Sequence, residues 1–310
     1  MVFGQLLADL DAVSELVEYV DRPKLEPLVN EASLHFSLKG GLIMIEASLG
    51  KEKDSFIFDT GAPTLFLNSN DFNEEEGSVE AVGISGRTQI EEIIAPQLSI
   101  ENLVQENIPA YKIDIQHLEK LKKCRMKGII GQDLVKNHEV FVDYENRILK
   151  LLDFNNLELE ETMRMVQRIP FSMDGHFAVL KVKIGEKNYF FGIDTGAEVN
   201  VIDKRLKKKL RKNYKRQEFI NVRGLDKNLS SALNCKISEI EVGDQSYENL
   251  EFLFTDLSTI NDGYHIELDG LLGFPFLKQY PFSINYQEQY FYFWEHLPKI
   301  DQDNESLTKD

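Results

Sequence analysis

From Ser33 onward, apolar runs of strand length, broken by Gly- and Asn-containing turns, dominate this chain. Only its first 30 residues keep a different rhythm. There Leu6, Leu7, Leu10, Val13, Leu16, Val17 and Val20 recur at spacings of three and four, which predicts an amphipathic helix ending before Pro23. Beyond it, Leu42–Leu49 predicts a strand, Gly50-Lys51 a turn, and Ser55–Phe58 the returning strand of a hairpin. Phe177–Ile184, the turn Gly185–Asn188 and Tyr189–Ile193 predict the same hairpin a second time. Helical signals inside this β pattern are short, at Ile115–Lys123, Asn155–Met165 and Asp203–Arg211. The expected fold class is mostly β.

The second hairpin is a copy of the first. Shifted by 135 positions (194 minus 59), Phe36–Ala62 lies on Phe171–Ala197 without a gap, and nine of the 27 pairs are identical. Each block ends in an apolar run followed by Asp-Thr-Gly-Ala: Asp59-Thr60-Gly61-Ala62 and Asp194-Thr195-Gly196-Ala197. A second ungapped match follows at an offset of 142 (270 minus 128). It pairs Gly128-Ile129-Ile130-Gly131 with Gly270-Leu271-Leu272-Gly273, and Val142-Asp143-Tyr144 with Ile284-Asn285-Tyr286. A period near 140 has the size of a domain rather than of a solenoid unit. The expected organisation is an N-terminal helical extension over 1–30, a first lobe over 31–154, a linker over 155–165, a second lobe over 166–296, and a disordered polar tail over 297–310.

Composition narrows the partners. A chain of 310 residues with 42% hydrophobic and 28% charged residues reads as an ordinary soluble protein large enough for two cores. Its formal charge of −17 argues against nucleic acid, and no apolar stretch is long enough to span a membrane. The start of the chain lacks the basic n-region of a signal peptide, and two isolated cysteines, Cys124 and Cys235, make no disulfide framework; both point to the cytoplasm. Six histidines without ligand spacing support no metal site, and no Gly-rich phosphate loop precedes a helix, so no cofactor is expected. The basic run Lys204–Lys212 reads as a solvated helix face with Leu206 and Leu210 turned inward.

A single Asp-Thr-Gly is an ordinary turn sequence. Two in register, each at a strand end, suggest a duplicated half-site in which Asp59 and Asp194 meet and share one proton. Two such acids cannot both ionise, so one holds a proton while the other takes one from water. Gly61 and Gly196 suit tight loops that another backbone approaches closely. Thr60 and Thr195 offer hydroxyls to hydrogen-bond across the junction and stiffen both loops.

As a set, these motifs resemble the pepsin–retropepsin clan of aspartic peptidases, and within it the bacterial retropepsin-like proteins, here with two tandem lobes. The resemblance implies two β-barrel lobes about a pseudo-twofold axis, Asp59 and Asp194 as the catalytic pair, and Ile129-Ile130-Gly131 and Leu271-Leu272-Gly273 threading behind the two active loops. It implies an aspartic endopeptidase, needing only a water, that acts on peptide or protein substrates as a monomer. Two departures qualify it. Ala62 and Ala197 replace the Ser or Thr that follows Asp-Thr-Gly in pepsin-like enzymes, which removes a hydroxyl bond to the charged form and predicts an optimum nearer neutral than pepsin's. The candidate flap and substrate-binding residues, Gly83, Ile84 and Gly86 in the first lobe and Gly224 and Leu225 in the second, lack the tyrosine of pepsin-like flaps. The alternative function is a non-catalytic module that grips a peptide or protein in the same cleft. Residues 1–30 lying across that cleft as an internal block is a third.

Overall fold

The computed structural model describes residues 31–71, 79–83, 86–223 and 229–298. The expected helix over 1–30 and most of the polar tail lie outside them. The described chain is mostly β. Two eight-stranded sheets have the same internal order, one from the first half of the chain and one from the second. In each, six strands close on themselves. The strand Leu42–Leu49 pairs with its hairpin partner Glu52–Phe58 on one side and with Gly86–Ile100 on the other. Phe177–Ile184 does the same with Lys187–Ile193 and Leu229–Val242. The result is two closed six-stranded barrels, the architecture of two pepsin-like lobes.

Sequence similarity between the hairpins becomes identity of burial. Leu42–Leu49 and Phe177–Ile184 bury and expose the same positions in the same order. Gly50 and Gly185 take positive φ, 61° and 63°, at the two turns. Glycine adopts this conformation without the strain a side chain would add. Inside the barrels Phe56, Phe58 and Phe191 are fully buried. Each contributes about 1.5–3 kcal/mol by leaving water.

A third sheet joins the halves. Its order is Ala32–His35, Ile148–Leu152, Glu139–Asp143, Phe282–Asn285, Tyr290–His296 and Met163–Pro170, three strands from each half. The seam is the antiparallel pair Glu139–Asp143 with Phe282–Asn285. On it Glu139 is buried and accepts hydrogen bonds from Ser283 Oγ at 2.5 Å and Asn285 Nδ2 at 3.2 Å. Trp294 Nε1 donates to the same Ser283 Oγ at 2.9 Å. Burial pushes the Glu139 carboxyl above its usual range, and these donors oppose the shift.

Two predicted helices form, Gln116–Lys122 and, within Asn155–Met165, Glu158–Thr162. The third does not. After Asp203, whose side chain caps the Arg205 amide, the chain makes one 3₁₀ turn at Lys204–Leu206 and then a succession of turns. Leu206 and Leu210 are buried as expected. Their neighbours Lys204, Lys208, Arg211 and Lys212 are like charges at helical spacings, which disfavours a continuous helix. Among the described residues no helix is long and apolar enough to cross a membrane.

Candidate active site

Each Asp-Thr-Gly loop is built by the same four hydrogen bonds. The strand Phe56–Phe58 runs parallel to Gly128–Ile130, so the Asp59 amide donates to Ile130 O at 3.0 Å. In the second lobe Ile193 pairs with Leu272 and the Asp194 amide donates to Leu272 O at 3.1 Å. The loop's far end is tied to the segment after that buttress. Gln132 N–H donates to Ala62 O, and Phe274 N–H to Ala197 O, both at 2.8 Å. Gly131 and Gly273 allow this approach, because a Cβ at either would strike a loop carbonyl: Thr64 O or Ala62 O for Gly131, Ala197 O for Gly273. The two apolar-Gly segments therefore pass directly behind the loops, as the sequence placed them.

Within the loops, Gly61 N–H donates to Asp59 Oδ1 at 2.8 Å and Gly196 N–H to Asp194 Oδ1 at 2.7 Å. The threonines reach across. Thr60 N–H donates to Thr195 Oγ1 at 2.9 Å, and Thr195 N–H to Thr60 Oγ1 at 3.1 Å. Thr195 Oγ1 also donates to Phe58 O at 3.1 Å. This reciprocal pair fixes the separation of the loops, and each aspartate faces the other loop's glycine. A Cβ on Gly61 would lie 2.5 Å from Asp194 Cγ, and one on Gly196 would strike the Asp59 carboxylate.

Asp59 and Asp194 are both buried, each carboxyl lying against the other loop's glycine. Burial is the main cause raising both carboxyls above the usual range, as desolvation disfavours the charged form. The two are unequal. The Gly61 amide on Asp59 Oδ1 and the neighbouring Ala62 and Gly196 amides oppose the shift at Asp59 and favour its ionised form. Asp194 is pushed well up by burial and then by the charge of Asp59, against the Gly196 and Ala197 amides. Ala62 and Ala197 bring no hydroxyl to the carboxyls, and their methyls fill matching apolar clusters. Ala62 packs with Met44 and Ile129, and Ala197 with Val179 and Leu271.

Of the candidate flap residues, Gly83 and Gly86 pair at the tip of the hairpin between Val79–Gly83 and Gly86–Ile100. Ile84, Gly224 and Leu225 lie outside the described residues. Strands Tyr214–Arg223 and Leu229–Val242 form an equivalent hairpin in the second lobe.

Three features at this junction escaped the sequence reading. His176 Nε2 lies 2.7 Å from Gly61 O. Lys122, on the first lobe's helix, is ion-paired with Glu198, the residue after Ala197, and both side chains are largely buried. Tyr144 and Tyr286 stand at matched positions in packed aromatic settings, Tyr144 against Phe36 and Tyr286 against Phe171. Burial raises both phenols, with the dyad charge adding to it. The tyrosines could have been found, since both fall in the second matched block; the other two occupy positions where the copies differ.

Among curated proteins none matches the chain. Residues 180–276 match the family model described as Aspartyl protease. That span runs from Leu180, in the strand before the second Asp loop, through Asp194-Thr195-Gly196 and the Gly270–Gly273 buttress, to Phe276. A closed barrel, a strand-end Asp-Thr-Gly loop and this match together make the second half of the chain similar to aspartyl proteases of the retropepsin-like type.

Proposed function

We propose that the protein is an aspartic endopeptidase in which Asp59 and Asp194 act as one unit. The observation that carries this is two buried carboxyls, each against the other loop's glycine, held between loops that the threonines lock together. One carboxyl of the pair is ionised and takes a proton from the attacking water. The other holds the shared proton, donates it toward the scissile carbonyl oxygen, and the pair then delivers a proton to the leaving nitrogen. The peptide lies extended in the cleft between the lobes, under the hairpin whose tip carries Gly83 and Gly86. Thr60, Gly61, Thr195 and Gly196 serve as loop support.

Burial raises both carboxyls, and Ala62 and Ala197 withhold the hydroxyl bond that pepsin-like enzymes give the charged form, so the singly protonated pair should persist to higher pH than in pepsin. The optimum lies nearer neutral, which suits a cytoplasmic enzyme. Both halves of the site are on one chain, so activity per molecule is independent of concentration, as for a monomer.

Digestion of a diverse peptide mixture from about pH 3 to 8, read by mass spectrometry, tests this. Cleavage that disappears in both Asp59→Asn and Asp194→Asn is the expected result. A folded protein that cuts nothing, yet retains peptides, would move the assignment to a binding module.

A further inference from the structure

His176 comes from the second lobe and its ring meets the first lobe's Asp loop. A carbonyl oxygen only accepts, so the ring nitrogen 2.7 Å from Gly61 O carries a hydrogen. The ring is firmly held. It packs against Phe177 with centroids 4.2 Å apart and edge-on to Tyr264 at 4.5 Å. The turn that carries it, with Gly175 at φ 57°, is tied to the segment after Tyr264, because Glu267 N–H donates to Asp174 Oδ2 at 3.0 Å.

Gly61, the recipient, is engaged on every side. Its amide donates to Asp59 Oδ1 at 2.8 Å, and its Cα faces the Asp194 carboxyl too closely for any side chain. Its carbonyl is the remaining handle, and His176 holds it. That carbonyl shares a peptide plane with the Ala62 amide, which donates to Asp59 O at 3.2 Å, so displacing it would rotate that plane and loosen the loop that also holds the Gly61 amide on Asp59. The other half of the site is made differently. In register with His176 the first lobe has Gly41, which has no side chain to offer the Gly196 carbonyl and lies against Phe274.

We propose that His176 is a positioning residue for peptide hydrolysis, which fixes the first Asp loop, and with it Asp59, against the second lobe through the Gly61 carbonyl. This rests on the peptidase reading above. Its role is exerted through Gly61 and not by contact with the reacting atoms.

The test compares native protein with His176→Phe, which keeps a ring against Phe177 and Tyr264 but has no N–H, and His176→Gln, which restores a donor. Asp59→Asn serves as the inactive reference. Steady-state cleavage of one peptide gives kcat and KM, and NMR-detected hydrogen exchange follows the Gly61 and Gly196 amides. The expected result is a kcat about tenfold lower in His176→Phe with KM nearly unchanged, the effect of one lost hydrogen bond, and recovery of most of it in His176→Gln. Exchange at Gly61 quickens about tenfold in His176→Phe while Gly196 stays as in the native protein. Native kcat in His176→Phe, or equal quickening at both glycines, overturns the proposal. If native protein cleaves nothing, the peptidase reading falls with its kinetic consequence, and the exchange contrast alone decides whether His176 holds the loop.

Discussion

The two Asp loops are alike in backbone and unlike in surroundings. Buttress, amide bonds and threonine exchange repeat across the axis, residue for residue. What stands around them does not: His176 faces Gly41 across the repeat, Glu198 faces Pro63, and Phe274 faces Gln132. The shared part places two acids where they must compete for one proton. The unshared part decides which acid keeps it. An exactly symmetric dyad would leave that choice to the substrate; here His176, Glu198 and Phe274 stand on one side of the axis without counterparts on the other.

The largest effect expected is also the most symmetric. Asn at position 59 or at 194 should lower cleavage by on the order of a thousandfold or more, since the pair acts as a unit. A variant retaining a tenth of native activity would show that one carboxylate works alone. Next come Gly61→Ala and Gly196→Ala. Each new methyl strikes the opposite carboxylate, so each should cost about 1–3 kcal/mol in urea unfolding and about a hundredfold in kcat. Full activity in either would mean the loops are farther apart in solution than described here.

The threonines sharpen the comparison. Thr60→Val leaves the buried Thr195 amide without its acceptor, at about 1–3 kcal/mol. Thr195→Val does the same to Thr60 and also removes the donation to Phe58 O, so it should be the more damaging by up to about 1 kcal/mol. The reverse order in chemical denaturation would contradict this. The smallest effect is in pH. Folded-state values of both aspartates are raised, so above the ordinary carboxylate range the native state holds a proton that the unfolded chain has released. Stability therefore falls as pH rises through the interval between the unfolded and the raised values. Asp194→Asn should gain on native protein over that interval and match it more closely in acid. Urea midpoints measured across the interval give the sign directly, and a native protein that gains on the variant as pH rises would refute it.

The pair, its buttresses and the hairpins that carry them were legible because the sequence carries each of them twice, hairpins and pair at an offset of 135 and buttresses at 142. His35, His117, His138, His176, His265 and His296 could not be ranked the same way. A contact such as His176 to Gly61 spans 115 residues and exists only once the barrels are docked. The Lys122–Glu198 pair, 76 residues apart, hid for the same reason. The failed helix after Asp203 had the right leucines, but spacing does not register the repulsion among the cations between them. Burial as the main cause of the raised dyad was also out of reach, for it comes from both lobes at once; the alanines had suggested only the missing hydroxyl.

The seam beneath the dyad has one more implication. Glu139–Asp143 and Phe282–Asn285 are equivalent strands in the two copies, and each is the other's hydrogen-bonding neighbour. Separated from its companion, either half would present a bare edge already shaped to accept its own likeness. Half a molecule would therefore be self-complementary at that edge.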